Sequence, residues 1–566
     1  MEKDRLLKLV EAYQEHFKQY NRPDYNETEV RNDFVNPFFE ILGWDVQNKK
    51  NLPQHLREVK HEASVFVEEN GKQVKKKPDY EFHVGSTPYF FLETKKPNVD
   101  IMTSKEAAFQ TRRYGWNGNL EISVLSNFTD LVIYDTSVRP EENDKPSVAQ
   151  VAHFHFTEYV DKFDEISRLL SYETVISGDF EKTFANISSS LKKEPFDKYF
   201  LSQIKKWRLV LSKDIIKHNS IVKQGTLNIF VQKLINRIVF LRICEDRELE
   251  KYESLKNIGT YAELKRVFVA ADKKYDSGLF ELIEAEQFEI SDSILVDIFK
   301  ELYYPNSCYE FSIVDPFIIG QIYELFLEEE IVIKDGIVVA ERKPEIVDSQ
   351  GVVNTPKNIA DIIVKTTLAP LFSDEKFTEW DSYRIADICC GSGNFLLSAY
   401  EFIINRYIEY YMKNSLDMAI QKGLLISDVG NNFKLSYEKK REILRNNIWG
   451  VDIDILAVEV AKFSLLIKLI EDSSLYEMES FAKNNNCRIL PSLDNNIKNG
   501  NSLVDEKYIE FNSNILNDPE MVEKIKIFNW ENEFAGEKFD AIVGNPPYIR
   551  VQNMVHFSEN EYEYYK

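Results

Sequence analysis

The pentad Gly544-Asn545-Pro546-Pro547-Tyr548 gathers residue types that suit one task, gripping a flat base by an exocyclic amino group. The Asn545 side-chain oxygen and the Pro546 carbonyl are acceptors for amino hydrogens, and the Tyr548 ring offers a face for stacking. The apolar run from Phe539 to Val543 just ahead has the character of a buried strand. Two successive prolines cannot continue a central strand, so the chain turns there. Asn545 and Tyr548 then stand at a sheet's carboxyl edge, where open α/β sheets bind their ligands. Taken alone, the pentad also reads as a proline-rich turn that closes a strand, and the rest of the chain has to decide.

A second constellation lies far upstream. The run from Pro78 to Val84 alternates in polarity, and Tyr89 to Lys95 follows a Gly-Ser-Thr-Pro turn, so the two read as neighbouring strands. Glu93 and Lys95, two residues apart, project from one face, and Asp79 arrives from the adjacent strand as a second carboxylate. Asp79 and Glu93 with a backbone carbonyl make a hard oxygen site suited to Mg2+. Lys95 beside them can orient an attacking water and offset phosphate charge, the apparatus of metal-assisted phosphodiester hydrolysis. On exposed strands the same residues are simply solubilising charges.

The third constellation runs from Ile385 to Phe395, a buried strand, a glycine turn and a helix opening at Phe395. Gly391 and Gly393 let the backbone approach a ligand, and the helix start offers free N–H groups. A dinucleotide fingerprint would place a third glycine where Leu396 stands and a ribose-binding acid ~20 residues later. The next strand-end acid, Asp452, comes well beyond that, after a long helical insertion. The features fit S-adenosylmethionine instead. Asp387 can anchor the turn and the methionine ammonium, and Asp452 can accept both ribose hydroxyls. Asn501, in Gly500-Asn501-Ser502-Leu503, can meet the adenine edge. Thr355, in Asn354-Thr355-Pro356-Lys357, can cap a helix from Asn358 and meet the methionine end.

Several elements must position these groups. Residues 24–46 read as one helix, with Val30, Phe34, Phe38 and Leu42 at helical spacing and Gly43 as its stop. From about 175 to 340 the chain reads as mostly helical. It carries an apolar stripe from Leu227 to Leu241, a helix started by Asp315-Pro316, and a hairpin from Ile331 to Val339. This stretch holds no catalytic constellation and reads as packing and spacing. Arg237, Arg242 and Arg247 near the stripe fit salt bridges as well as backbone contacts.

Composition bounds the rest. A chain of 566 residues has room for three or four domains of ~150 residues each. With 43% hydrophobic and 29% charged residues, it is too apolar for general disorder. No apolar run reaches the ~18 residues of a membrane span, and the acid-containing amphipathic start from Met1 to Phe17 is unlike a signal or transit peptide. Cys244, Cys308, Cys389, Cys390 and Cys487 form no CxxC pair, so reduced thiols, no zinc site and a cytoplasmic location are expected. A net charge of −23 argues on its face against a polyanionic partner, but phosphate contacts need only local Lys and Arg. Lys72 to Lys77 and Lys205 to Arg208 are such patches, each of which also reads as solvated surface.

The upstream constellation resembles the PD-(D/E)xK nuclease domain of restriction subunits and fused restriction–modification enzymes. In that family a helix bearing a glutamate and ending in Leu-Gly-Trp precedes the motif, matched here by Glu29-Val30-Arg31 and Leu42-Gly43-Trp44. A Gln-x3-Tyr pair follows, matched by Gln110 and Tyr114, and a strand from Leu125 to Asp135 completes the core. The order of Thr355-Pro356, the Asp387-to-Phe395 turn, Gly450-Val451-Asp452, Gly500-Asn501 and Asn545-Pro546-Pro547-Tyr548 resembles the γ-class amino-group DNA methyltransferases. Together these features make nearly the whole chain similar to type IIG restriction–modification enzymes, in which one polypeptide both cleaves and methylates DNA.

The resemblance implies a multidomain α/β chain: a PD-(D/E)xK nuclease fold over 1–170, a helical connector over 171–343, and a Rossmann-like methyltransferase domain over 344–566. It implies Glu29 and Gln110 beside Asp79, Glu93 and Lys95 in cleavage, with Asp79 and Glu93 holding Mg2+. It implies Asn545, Pro546 and Tyr548 acting on adenine N6 of double-stranded DNA. Thr355, Asp387, Gly391, Gly393, Phe395, Asp452 and Asn501 would then hold S-adenosylmethionine. The adenine must be flipped from the duplex, and direct transfer needs no covalent enzyme intermediate, leaving Cys389 and Cys390 to core packing. Two departures stand out. Asn354 replaces an aromatic common among relatives, and the chain stops shortly after Tyr548, where relatives continue through the last strands and a target-recognition domain. That domain is expected from a missing C-terminal part or a separate subunit. Rival readings are a methyltransferase for RNA or protein glutamine, a defence methyltransferase with an inactive nuclease, and an inactive DNA-binding fragment.

Overall fold

The computed structural model describes residues 2–61, 66–69, 72–75, 77–185, 192–275, 278–280, 288–334, 336–343, 355–428, 432–518, 521–522, 525–546 and 559–565. The chain is mixed α/β and forms two compact units. Met1–Tyr199 with Glu301–Val314 makes up one, and Phe200–Lys300, Asp315–Asp428 and Phe433–Lys566 make up the other. No helix among the described residues is long and apolar enough to cross a membrane.

In the first unit the described strands form a mixed sheet in the order Val59–His61, Tyr80–Val84, Thr87–Thr94, Ile122–Ser126, Asp130–Asp135, Gln150–His155. Neighbours are antiparallel except Thr87–Thr94 and Ile122–Ser126, which run parallel. Parallel neighbours need a crossover, supplied by the helix Lys105–Asn117, which Ser104 caps through a bond from the Ala107 N–H at 3.2 Å. The strand carrying Glu93 is half-buried at its start and buried from Phe90 onward, so its functional end lies against the core. That core is aromatic: Phe34, Phe38, Phe39, Phe82, Phe90 and Phe128 are buried with Trp44, whose indole N–H donates to the Leu170 carbonyl at 2.8 Å.

Two local expectations change here. The segment 24–46 is helical only from Glu27 to Ile41, starting at an Asn26 cap and widening into a π turn over Arg31–Val35 before Asn36–Ile41. The stretch from Leu125 to Asp135 is not one strand. It is the end of Ile122–Ser126, a turn, and then Asp130–Asp135. Asn127 forces the turn by accepting the Asp130 N–H at 2.8 Å, and Phe128 adopts φ 66°.

In the second unit the described strands of the main sheet stand in the order Ile497–Asn499, Ile448–Asp452, Ile385–Asp387, Ala541–Ile542, all parallel. The chain order therefore reverses beside Ile385–Asp387, between it and Ala541–Ile542. Helices Asn394–Asn414, Tyr437–Asn447 and Ile455–Ile470 pack on this sheet. The helix Gln224–Asp246 is buried nearly all round, not only along one stripe. Its arginines are bound internally: Arg237 to the Leu279 carbonyl at 2.7 Å, Arg242 to Asp246 at 2.6 Å, and nearby Arg247 to the Ile467 carbonyl at 3.0 Å. Of the basic patch at Lys205 to Arg208, Lys205 pairs with Glu329 at 2.8 Å and Arg208 is buried over the Phe326 ring. Those two are internal ties, not a phosphate-facing surface. Among Lys72 to Lys77, Lys76 and the side chains of residues 72–75 lie outside the described residues.

Candidate active sites

Tyr80 pairs with Leu92 across the antiparallel strands, which brings Asp79 to the end of the strand that carries Glu93. Asp79 is 3% exposed and Glu93 2%, so neither is a solubilising surface charge. The Asp79 carboxylate accepts the Thr94 N–H at 2.7 Å and the Thr94 hydroxyl at 2.6 Å, and it pairs with Arg31. Arg31 also donates to the Thr94 hydroxyl at 2.7 Å. Lys95 donates to Glu93 at 2.7 Å and to the Gln110 side-chain oxygen at 3.1 Å, and Gln110 donates to the Tyr114 hydroxyl at 2.9 Å. Asp79, Glu93, Lys95 and Gln110 are thus tied to one strand end. Burial disfavours the Lys95 charge, but Glu93, Glu27 and Asp79 outweigh it and raise its pKa above the ordinary lysine value.

Glu29 is not part of this group. Its carboxylate accepts the Asn26 N–H at 2.7 Å while Asn26 accepts the Glu29 N–H at 3.0 Å, a capping box that starts its own helix. Glu27, on the next face, pairs with Arg31 at 3.7 Å and is the helix acid nearer the site. Arg31 has no role in the sequence reading, because its partners Asp79 and Thr94 lie far along the chain. Among the described residues no three His, Cys, Asp or Glu side chains gather as a metal site. Mg2+ typically takes one or two carboxylates and completes its shell with water and phosphate, so the pair Asp79 and Glu93 fits that ion.

In the second unit the glycine turn follows the strand Ile385–Asp387. Gly391 (φ 52°) and Gly393 (φ 89°) occupy left-handed backbone that other residues rarely adopt, and a side chain at Gly393 would also press on Ala461 at 3.1 Å. Open space lies beyond Gly391, with nothing within 4 Å of where a Cβ would stand. The helix opens at Asn394, one residue before Phe395, which is buried in its first turn. Asp387 is 1% exposed and accepts the Cys389 N–H at 3.0 Å. Asp452 reaches across from the neighbouring strand, accepting the Gly391 N–H at 2.8 Å and the Asp454 N–H at 2.8 Å. Burial raises the Asp387 carboxyl to about 7 and the Asp452 carboxyl to about 6, against hydrogen bonds that favour their charge.

Gly544 leaves the strand Ala541–Ile542 so close to Asp387 that a Cβ there would stand 2.6 Å from Oδ1. Asn545 follows and donates from its amide to the Thr355 hydroxyl at 3.1 Å. Thr355 does not cap the next helix: that helix runs Lys357–Leu368, begins at Pro356, and has no side-chain cap there. Asn501 is 8% exposed. Its side-chain oxygen accepts the Leu503 N–H at 3.1 Å, and its N–H donates to the Lys526 carbonyl at 2.8 Å, so it shapes its own turn. Pro546 is exposed, whereas Pro547, Tyr548 and Asn354 lie outside the described residues. Glu324, from the helix Pro316–Leu327, was not anticipated. It accepts from the Ser392 hydroxyl and the Asn394 amide, both at 3.0 Å. No local motif marks it, since its neighbours in sequence are apolar core residues.

Residues 446–566 match the family "Eco57I restriction-modification methylase", and residues 24–142 match "Type I restriction enzyme R protein N terminus". The first span contains Asp452, Asn501 and Asn545, and the second Asp79, Glu93, Lys95 and Gln110. The type II restriction enzyme and methyltransferase RM.Eco57I of Escherichia coli is 39% identical over all of this chain and 54% of its own length. A putative type II restriction enzyme and methyltransferase of Methanocaldococcus jannaschii, RM.MjaORFECS2P, is 26% identical over 49% of this chain and 27% of its own length. The solved Type IIL restriction-modification enzyme MmeI in complex with DNA aligns at 12% identity and a TM-score of 0.37, covering 63% of this chain and 45% of that one. The chain spans about half the length of RM.Eco57I and less of the other curated relative. It is thus a homologue, along its whole length, of a type II restriction enzyme and methyltransferase, with a restriction-subunit match towards its start and a methylase match towards its end.

Proposed function

We propose that the chain serves a bifunctional DNA restriction–modification enzyme that methylates adenine at N6 and cleaves DNA by Mg2+-dependent phosphodiester hydrolysis. The methyl group would come from S-adenosylmethionine bound at the Rossmann-like half-sheet of the second unit. The single observation that carries this reading is the seating of the Asn545 loop: Gly544 lies against Asp387, and the Asn545 amide is bonded to Thr355. Gly544, which opens the base-gripping loop of this reading, stands beside Asp387 of the glycine turn, at the point where strand order reverses.

In this reading Asp452 accepts the ribose hydroxyls and Asp387 faces the cationic amino-acid end. The open space at Gly391 admits the ligand's approach. The Asn545 side-chain oxygen and the Pro546 carbonyl accept the N6 hydrogens, so negative charge at these acceptors grows in value as N6 becomes positive in the transition state. Tyr548 stacks on the flipped base, returning ~1–3 kcal/mol of the cost of extrusion. Thr355 holds the Asn545 amide nitrogen, which orients its oxygen the other way. The bound groups need only be positioned, and no nucleophile of the chain is consumed.

In the first unit, within a nuclease domain of the PD-(D/E)xK type, Asp79 and Glu93 would hold Mg2+, which when bound supplies charge at the scissile phosphate and an activated water. Lys95, fixed by Gln110, would orient the attacking water, and Arg31 balances the Asp79 charge. The division 1–170, 171–343 and 344–566 describes these roles: cleavage, spacing and methylation. A defence methyltransferase with a silent nuclease is the second reading, favoured by the fact that Asp79 and Glu93 are already balanced by Arg31 and Lys95. Incubating the full-length gene product with DNA, S-adenosylmethionine and Mg2+, then resolving one portion on a gel and digesting another to nucleosides, tests both. N6-methyladenine with strand breaks is expected. Methylation without breaks at any Mg2+ concentration supports the second reading, and neither product defeats both.

A further inference from the structure

The helix Pro316–Leu327 lies directly on the glycine turn. Asp315 caps it through the Phe317 N–H at 2.8 Å, with Pro316 in the first position, so its start is well defined. Gly320 and Glu324, one turn apart on one face, make the contact. A Cβ at Gly320 would stand 3.1 Å from the Asn394 side-chain oxygen and 3.8 Å from the Ser392 carbonyl, so only glycine lets the helix come this near without a shift. Glu324 then reaches Ser392 and Asn394, which bracket Gly393. Both bonds fall on one oxygen, Oε2, and the residue stays partly exposed.

We propose that Glu324 is a positioning residue of the cofactor site: by clamping Ser392 and Asn394 it fixes the turn whose Gly391 N–H holds Asp452. This rests on reading that turn as the S-adenosylmethionine site. A neutral side-chain oxygen would suffice to accept two hydrogen bonds. A carboxylate is costly here, because Asp452 lies near it and Glu328 follows on its own helix. Other charges on the elements packed against this helix are matched elsewhere: Glu401 with Lys357 at 3.2 Å, Glu459 with Lys462 at 3.5 Å and Glu329 with Lys205 at 2.8 Å. The turn therefore lies among the Asp387, Asp452 and Glu324 carboxylates, which the ammonium and sulfonium of S-adenosylmethionine, a net monocation once its own carboxylate is counted, would offset. Burial lifts the Glu324 carboxyl to about 7, with Asp452 and Glu328 adding to it and the bonds from Ser392 and Asn394 opposing. A ligand that favours the ionised form must bind more weakly as pH falls through that range.

Calorimetric titration of the full chain with S-adenosylmethionine, at about pH 8 and about pH 6, tests this. Glu324→Gln should weaken binding about tenfold at the higher pH, the worth of a charge-assisted bond pair reduced to neutral ones. It should also remove about one proton from the slope of log Kd against pH, an effect that a merely structural residue would not produce. Ser392→Ala should weaken binding severalfold, and Glu324→Gln with Ser392→Ala should be no worse than Glu324→Gln alone. Unchanged affinity and slope in Glu324→Gln overturn the inference, as does simple additivity. If Glu324→Gln melts too early to titrate, unchanged affinity in Ser392→Ala decides against it. No binding by the wild-type chain would defeat the cofactor reading itself, and that outcome is distinct from wild-type binding with indifferent variants.

Discussion

Replacing Gly544 by alanine adds one methyl group where the start of the Asn545 loop lies against Asp387. The new Cβ would stand 2.6 Å from Asp387 Oδ1 and 3.1 Å from its Cγ. That is roughly 1 Å inside the ordinary carbon contact distance, and Asp387 is only 1% exposed and held by the Cys389 N–H. Either the carboxylate swings off that N–H or the Asn545 loop backs away from the sheet edge. Overpacking of this kind costs about 1–3 kcal/mol, and losing a hydrogen bond to an ionised acceptor costs about 1.5–3 kcal/mol. Both consequences fall on the cofactor site, so S-adenosylmethionine affinity should drop about ten- to a hundredfold. Calorimetric titration measures it, with Gly225→Ala as the control, because an added Cβ there meets nothing within 4 Å. Affinity in Gly544→Ala within about twofold of the control would refute the idea that this loop and Asp387 form one site.

Other perturbations separate the two units. Asp79→Ala should abolish Mg2+-dependent nicking of DNA by the full-length product while N6-methyladenine still accumulates; nicking at the original rate removes the nuclease assignment. Arg31→Met leaves the buried Asp79 carboxylate without its cation and should destabilise the first unit by about 3 kcal/mol in urea melts, with most of the loss recovered in Arg31→Met with Asp79→Asn. Because burial raises Asp387 and Asp452 to about 7 and about 6, the folded state keeps protons that the unfolded chain releases near pH 4. Their contribution to stability is complete below about pH 4, declines as pH rises from there, and is gone above about 6 to 7. The second unit should accordingly melt at a lower temperature at about pH 7.5 than at about pH 5.5, and Asp387→Asn should flatten that slope; an equal slope in the variant contradicts it.

The residues at strand ends were legible because their signals are local. Alternation placed Glu93 and Lys95 on one face, and glycine or proline marked the turns after Asp387 and before Pro546. The Rossmann-like sheet was implied only by the resemblance to amino-group methyltransferases. What escaped was set by contacts between distant segments. Arg31 pairs with Asp79, a residue far along the chain, which helical spacing alone does not reveal, while Glu29 closes its own capping box. Glu324 lies in an apolar helix and acquires a role only because Gly320 lets that helix rest on a turn far along the chain. The hairpin between Ile122 and Asp135 was hidden because a strand-like residue, Phe128, occupies its tight turn. Internal pairing accounts for Arg237 and Arg242, for which salt bridges and backbone contacts fitted equally on sequence, and burial over Phe326 accounts for Arg208, whose patch also read as solvated surface.

In the proposed methyl transfer the Asn545 side chain acts on the amino nitrogen and does not hold the cofactor. Asn545→Ala in the full-length product, assayed for N6-methyladenine by mass spectrometry and for S-adenosylmethionine by titration, separates the two. Loss of methyl transfer with cofactor affinity nearly unchanged and DNA cleavage retained is the expected result. Methyl transfer at the original rate would contradict it.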